Sequence, residues 1–191
     1  MLKSKVVDTE EDLLTSLDVQ IYHPQQSVQG MFCHLPVGTK VRLPADEPLK
    51  LGRDEESCTF VLNDPKVSRK QLSLHTYRPK GSQEMRFTIQ NLSQKARLVV
   101  NGCTLDHLER LDLPDKALVR FGLYELLIVR ESGEAKGSFE VKIQVPIFSL
   151  LRESGSCDPK NAPIMETSTP PATLMDYHGP LEMDETLLCT S

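Results

Sequence analysis

The sequence predicts an all-β domain, built as a β-sandwich or barrel of many short strands. Between positions 17 and 145, apolar and polar residues alternate with a period of two instead of the 3.6-residue period of a helix. Turn residues separate the alternating runs roughly every 8 to 12 positions. No internal repeat is visible, which favours one sandwich over a propeller or a solenoid.

The alternating runs define the predicted strands in chain order: 17–21, 31–35, 40–43, 49–51, 59–62, 72–77, 85–89, 98–100, 108–113, 117–121, 123–129 and 139–145. The turns between them are rich in Gly, Pro, Asn, Asp and Ser, which favour tight turns, at 63–65, 79–82, 101–102, 113–115 and 131–133. The longest helical candidate is 10–17, where Thr9 would be the N-cap and Asp12 follows three residues later.

The composition changes after the last predicted strand. Residues 153–191 contain five prolines, seven acidic residues and a single aromatic residue, Tyr177. Such a segment cannot bury enough apolar surface to offset the entropy of ordering, so a disordered tail is expected. The predicted organisation is an acidic N-terminal segment (1–16), one β-domain (17–150) and a disordered acidic tail (151–191), with disorder also expected at the N-terminus.

Charge separates a basic centre from two acidic ends. Residues 1–18 carry 2 basic and 5 acidic side chains, residues 19–152 carry 19 and 15, and residues 153–191 carry 1 and 7, for a net charge of −5. Nucleic-acid binding needs a clustered basic surface, so the net acidity argues against a nucleic-acid partner. The basic centre favours recognition of an acidic or phosphorylated peptide.

Several other classes of protein are not expected from this sequence. No run of ~20 apolar residues and no apolar signal region is present, so we expect a cytoplasmic protein without a membrane span. The five cysteines lack any C-x-x-C pair, so we expect free thiols and no metal site. The five histidines are scattered and no nucleophile or phosphate-loop motif appears, so we expect no enzyme and no cofactor. A catalytic triad assembled in space remains the alternative.

Four polar residues, Arg53, Ser68, Arg69 and Asn91, stand where predicted strands end. The strand ends of a sandwich cluster at its rims, so these side chains can converge although they are distant in sequence. Two guanidinium groups, a hydroxyl and an amide form a set of donors with little acceptor character. A phosphate monoester presents three acceptor oxygens and a charge of about −1.5 to −2. The sequence therefore predicts a phosphate-binding site.

The motifs Gly52-Arg53, Ser68-Arg69, Asn91-Leu92-Ser93 and Asn101-Gly102, in this order, resemble those of the forkhead-associated (FHA) domain. That domain is a sandwich of about eleven strands that binds phosphothreonine peptides through loops at one end. The resemblance implies that Arg53 and Ser68 hold the phosphate, Arg69 adds charge and Asn91 contacts the peptide backbone. It further implies that Gly52 allows the tight turn that presents Arg53, and that Asn101-Gly102 is a hairpin turn.

One position departs from the FHA pattern. The family often has a histidine three residues after the motif serine, where it braces the loop, and this chain has Gln71. The departure puts the rigidity of the loop in question more than the contact with the phosphate.

The two ends of the chain extend the resemblance. Thr9 lies in an acidic run at 8–12, and Pro180, Glu182 and Glu185 form a Pro-x-Glu-x-x-acidic motif. With the FHA motifs, they resemble the family of TRAF-interacting proteins with an FHA domain. The resemblance implies that an alpha-type kinase phosphorylates Thr9. It also implies that the tail motif docks a TRAF-family ubiquitin ligase and thereby activates nuclear factor kappa-B innate immune signalling.

The predicted function is that of an adaptor that self-assembles when the pocket of one chain binds phosphorylated Thr9 of another. Two alternatives remain open. The domain could read a different phosphoprotein without self-assembly, and Thr9 could serve only as a helix cap. Thr9 lies about nine residues before the first predicted strand, a reach of at most ~30 Å, so the sequence does not decide between binding in cis and in trans.

Overall fold

Twelve strands and one short helix form from residues 14–150, which are the residues that the computed structural model describes. The elements are β1 (Thr15–Tyr22), α1 (Gln26–Gln29), β2 (Lys40–Pro44), β3 (Leu49–Gly52), β4 (Phe60–Val61), β5 (Leu72–Tyr77), β6 (Arg86–Asn91), β7 (Leu98–Val100), β8 (Cys103–Leu105), β9 (Arg110–Leu113), β10 (Lys116–Phe121), β11 (Tyr124–Glu131) and β12 (Ser138–Gln144). The all-β prediction is confirmed, with twelve strands where about eleven were expected. Within 14–150, no helix has the length and apolar character needed to cross a membrane. The predictions for Thr9, Pro180, Glu182 and Glu185 lie outside the described residues.

The strands form two sheets. The first has the order β2-β12-β1-β11-β10-β7-β8 and the second the order β4-β3-β5-β6-β9. Apolar residues of both sheets belong to one core, and the rings of Phe87 on β6 and Phe139 on β12 meet edge to face with centroids 5.1 Å apart. The sheets therefore pack face to face as a sandwich.

The period of two accounts for which residues enter this core. On β1 and β12, alternate residues face inward and are at most 9% exposed: Leu17, Val19, Ile21, Phe139, Val141 and Ile143. Burial of each large apolar side chain contributes about 1.5–3 kcal/mol. The register of each strand is fixed because a shift by one residue would turn this apolar row toward water.

Local sequence signals failed in three places. The strand β8 (Cys103–Leu105) was not among the predicted strands. Positions 31–35 form hydrogen-bonded turns instead of a strand, because Met31 and Leu35 bury their side chains from a loop while Cys33 and Leu35 donate to carbonyls three residues earlier. The helical candidate 10–17 is also wrong where it is described, since β1 begins at Thr15. β1 pairs with β11 on one side and β12 on the other, and this pairing overrides the local helix signal.

Strand direction separates the two ends of the sandwich. β3 and β6 finish where β5 starts, with Leu51 opposite Leu72 and Leu72 opposite Asn91. The β10–β11 turn at 122–123 lies at the same end, because the first residue of β11 hydrogen-bonds to the β4–β5 loop. We call this the loop end. β1 runs toward it, so its first residue, Thr15, lies at the opposite end, beside β11 residue Glu131 and the loop at 133.

Candidate functional site

A cleft of about 550 Å³ opens at the loop end of the sandwich. Three loops form it: the start of the β3–β4 loop, the β4–β5 loop and the β6–β7 loop. We call it the loop-end cleft, and its lining residues are Arg53, Asp54, Pro65, Lys66, Val67, Ser68, Arg69, Lys70, Leu92, Ser93, Gln94 and Lys95. The structure thus brings together Arg53, Ser68 and Arg69, three of the four residues singled out from the sequence.

Backbone hydrogen bonds hold the two arginines side by side. The N–H of Arg53 donates to the carbonyl of Ser68 over 3.1 Å, and the N–H of Asp54 donates to the carbonyl of Arg69 over 3.2 Å. Two backbone hydrogen bonds therefore join the β3–β4 loop to the β4–β5 loop. This pairing explains how residues 15 positions apart in sequence reach one site.

Gly52 is required for that close approach. A Cβ atom placed at Gly52 would lie 2.2 Å from the carbonyl oxygen of Arg69, a distance that no real contact tolerates. The expected role in a tight turn is corrected, because Gly52 is the last residue of β3 and its φ is outside the left-handed region. The glycine is needed because it has no side chain, and this lets the two loops touch.

A hydroxyl pair prepares Ser68 to donate. The Oγ atoms of Ser68 and Ser93 are 2.7 Å apart, and Ser93 Oγ also accepts from the backbone N–H groups of Lys95 and Ala96. Both lone pairs of Ser93 are then occupied, so its own proton is the one that points to Ser68. The proton of Ser68 is left to donate into the cleft, which suits an anionic oxygen.

Asn91 lies beneath the cleft and does not face it. Its side chain is 0% exposed, and Nδ2 donates to the carbonyls of Ala96 and Leu105, each over 3.0 Å. Its Oδ1 accepts the N–H of Ser93 over 3.0 Å. Both donor positions are in use, so the expectation that Asn91 contacts the peptide is corrected: it shapes the β6–β7 loop from below.

Positive charge dominates the lining. Arg53, Lys66, Arg69, Lys70 and Lys95 are all exposed, and the single lining carboxylate is that of Asp54, which accepts a hydrogen bond from Ser57. Among residues 14–150, no ion pair engages any of these five cations. Five cations that form no ion pair within residues 14–150, and that outnumber one carboxylate around a hydroxyl donor, have the chemistry that binds a phosphate group.

Three of these cations, Lys66, Lys70 and Lys95, were missed by the sequence reasoning. Lys66 and Lys70 flank the Ser68-Arg69 motif, and Lys95 lies two residues after Ser93, in a loop between two predicted strands. Their positions in loops that adjoin the motif were a usable signal. Their charge alone was not, because most lysines are simply solvated at the surface.

Gln71 partly takes over the bracing expected of the family histidine. It is 1% exposed, and its Oε1 accepts the N–H of Ser68 over 3.4 Å, a long hydrogen bond. Its Nε2 is the buried side-chain nitrogen that has no hydrogen-bond partner among the described residues. The loop is therefore tied to Gln71 by one weak bond, and stronger restraints on it come from elsewhere.

Asn101 and Gly102 form the expected hairpin turn, at the end of the sandwich opposite the cleft. They join β7 to β8 with φ values of 48° and 88°, which are the left-handed conformations that a two-residue hairpin requires. Asn101 Oδ1 also accepts the N–H of Leu118 over 2.7 Å, which ties the turn to β10. Their role is structural.

Comparison with known proteins agrees with this geometry. The family model of the FHA domain matches residues 49–122, which span β3 to the β10–β11 turn and contain the whole loop-end cleft. The solution structure of the FHA domain of an Arabidopsis thaliana hypothetical protein has a TM-score of 0.45 at 19% identity, covering 66% of this chain and 92% of that one. The match to the family model identifies an FHA domain in this protein.

Similarity to curated proteins extends over almost the whole chain. TRAF-interacting protein with FHA domain-containing protein A is 36% identical in Homo sapiens and 35% in Rattus norvegicus, each over 93% of this chain and 95% of the relative. The chain belongs to the family of TRAF-interacting proteins with an FHA domain.

Proposed function

We propose that this protein is a phosphothreonine-binding signalling adaptor, and that the loop-end cleft binds the phosphothreonine. The observation that carries the proposal is the set of five exposed cations, unpaired within residues 14–150, around the hydroxyl of Ser68. Arg53 and Ser68 hold the phosphate, while Arg69 and the lysines supply further charge. Membership of the family of TRAF-interacting proteins with an FHA domain supports the proposal that this protein is an adaptor, which acts through protein partners and without catalysis.

The peptide is the protein's own Thr9 segment, carried by a neighbouring molecule. Thr9 precedes Thr15 by six residues, which span at most about 22 Å when extended. β1 runs from Thr15 to Tyr22 toward the loop end, over about 24 Å. A segment that turned straight back along β1 would use all its length before reaching the cleft, which supports binding in trans.

Binding in trans makes assembly a consequence of phosphorylation. Each chain contributes one phosphothreonine and one cleft, so the contacts are head-to-tail and grow into an open assembly unless they close on themselves. An alpha-type kinase acting on Thr9 in the cytoplasm is then the switch. The unmodified segment lacks the doubly charged group that the cleft selects.

The tail converts assembly into a signal. The motif of Pro180, Glu182 and Glu185 docks a TRAF-family ubiquitin ligase, and the relatives are named for such an interaction. A single short segment added to a sheet edge binds weakly, whereas many tails on one assembly gain effective concentration, on the order of 10²-fold. Activation of nuclear factor kappa-B in innate immunity follows from this clustering.

Light scattering after size exclusion tests the proposal on the full chain, unmodified and phosphorylated at Thr9. We expect a rise in mass confined to the phosphorylated protein and lost in its Arg53→Ala variant. A phosphopeptide copying residues 4–16 should compete and dissolve the assemblies, while the unphosphorylated peptide should not. An Arg53→Ala protein that assembled normally would contradict the proposal.

The alternative reading is an FHA domain that binds a threonine of another phosphoprotein. The same peptide discriminates between the two. A cleft that bound unrelated phosphothreonine peptides but not the phosphorylated 4–16 peptide would favour the alternative.

A further inference from the structure

Behind the loop-end cleft, a buried hydrogen bond joins one sheet of the sandwich to the β4–β5 loop. Tyr124, the first residue of β11, is 3% exposed, and its hydroxyl donates to Oδ2 of Asp64 over 2.9 Å. Asp64 belongs to the β4–β5 loop and is 5% exposed. The contact therefore links the sheet that contains β11 to the loop that carries Lys66, Ser68 and Arg69.

Asp64 connects this hydrogen bond to the backbone of the loop that lines the cleft. Its second carboxylate oxygen, Oδ1, accepts the backbone N–H of Lys66 over 2.8 Å, and its main-chain carbonyl accepts the N–H of Val67 over 3.1 Å. One oxygen of the carboxylate thus faces β11 and the other fixes the backbone two residues before Ser68. The conformation of the phosphate-binding loop depends on a residue that does not line the cleft.

Packing alone does not fix this loop. A cavity of about 110 Å³ lies between the loop and the β10–β11 hairpin, lined among others by Asp64, Val67, Ala96 and Tyr124. The loop consequently has space to move toward β11. Directional hydrogen bonds supply the restraint that close packing supplies elsewhere in the core.

The Tyr124 ring is held independently of its hydroxyl. It stacks on Phe121 with centroids 5.1 Å apart and lies 4.6 Å from the ring of His23. Burial, followed by the nearby Asp64, raises the pKa of Tyr124, so the phenol remains protonated and donates. A phenylalanine at this position would keep the ring contacts and remove the donor to Asp64, although it would also lose the contact to Met31 Sδ at 3.5 Å.

We propose that Tyr124 and Asp64 are positioning residues of the phosphothreonine cleft, which they hold in its binding conformation from behind. The inference rests on the proposed function of the cleft. Removing the Tyr124 hydroxyl leaves a buried carboxylate oxygen without its donor, and the β4–β5 loop shifts to find another. Affinity then falls although no residue that touches the phosphate has changed.

The test compares Tyr124→Phe with Tyr22→Phe, a tyrosine on β1, in the full-length protein. We expect the Kd for the phosphorylated 4–16 peptide to rise on the order of tenfold in Tyr124→Phe, and to stay unchanged in Tyr22→Phe. Hydrogen exchange at the Lys66 amide should accelerate only in Tyr124→Phe. Asp64→Asn should also weaken binding, and its effect should not add to that of Tyr124→Phe, because both break one connection.

Wild-type affinity and unchanged Lys66 exchange in Tyr124→Phe would overturn the inference. If Tyr124→Phe lowers the stability of the whole domain, the Kd of the Asp64→Asn variant is the deciding measurement. A wild-type Kd in Asp64→Asn overturns the inference, and a raised Kd supports it. Failure of the wild-type protein to bind the phosphopeptide would reject the proposed function instead. In that event exchange at Lys66 still reports whether Tyr124 positions the loop.

Discussion

The two ends of the sandwich use arginine in opposite ways. At the loop end, Arg53 and Arg69 are exposed and have no carboxylate partner among residues 14–150. At the other end, the side chain of Arg130 is 3% exposed and its donors reach Asp115, Met85 O and Ser132 over 2.7–3.1 Å. A buried cation held by four hydrogen bonds stabilises the fold, whereas exposed cations that form no ion pair within residues 14–150 remain available for a ligand.

The largest effect expected from this contrast is on stability. Arg130→Met removes a hydrogen-bond hub and leaves the carbonyl of Met85 without its donor, so the free energy of unfolding should fall by about 2–3 kcal/mol. Arg53→Met, the matched change at the loop end, should shift it by less than about 0.5 kcal/mol. Urea denaturation of both variants measures the difference. Equal losses would mean that the two arginines have the same kind of role.

Next in size is an effect on binding alone. Arg53→Ala removes a charge-assisted contact worth about 1.5–3 kcal/mol, so affinity for the phosphorylated 4–16 peptide should fall about 10- to 100-fold. Arg97→Ala is the control, because Arg97 is the last residue of the β6–β7 loop but does not line the cleft, and it pairs with Asp106 over 3.1 Å. Calorimetric titration gives both dissociation constants. A similar loss in the two variants would indicate long-range attraction in place of a specific contact.

A smaller effect on peptide binding should distinguish Ser93 from Ser82, two serines whose hydroxyls accept hydrogen bonds from backbone N–H groups. Ser93→Ala removes the partner of Ser68 and the acceptor for two backbone N–H groups, so it should weaken peptide binding and cost about 1 kcal/mol of stability. Ser82 accepts the N–H of Glu84 away from the cleft, so Ser82→Ala should leave the Kd unchanged. If Ser93→Ala left peptide binding unchanged, the hydroxyl pair of Ser68 and Ser93 would have no role in binding the phosphate.

The smallest effect is a pH dependence at the end opposite the cleft. Hydrogen bonding to Arg130 lowers the pKa of Asp115 below its ordinary value of 3.8. The pair therefore contributes stability above that value, and the contribution is lost as the pH falls through the lowered pKa. Asp115→Asn should show a shallower loss of stability below pH ~4, by a modest amount because the Asp115 side chain is 65% exposed. Curves of equal slope for the variant and the wild type would contradict this.

Much of the fold could be predicted because burial imposes a period of two on most strands. The prediction of strands failed where burial did not require a strand, as at Met31 and Leu35, which pack into the core from turns. It failed again at Thr15, where pairing with two distant strands outweighed the local helix signal.

Some residues of the site could be predicted from the sequence and others could not, for the same reason. Arg53, Ser68 and Arg69 were predictable because they belong to contiguous motifs at strand ends. The roles of Gly52 and Asn91 were not, because each depends on a distant backbone: the Arg69 carbonyl for Gly52, and the carbonyls of Ala96 and Leu105 for Asn91. Close approach and burial arise from tertiary structure and leave little trace in local spacing.

Titration of the full-length protein with the 4–16 peptide, phosphorylated and unphosphorylated at Thr9, tests the cleft most directly. We predict saturable one-to-one binding of the phosphorylated form, no measurable binding of the other, and chemical-shift changes confined to residues 53–54, 65–70 and 92–95. Equal binding of both forms, or shifts that avoid those three loops, would contradict the assignment of the loop-end cleft as a phosphothreonine site.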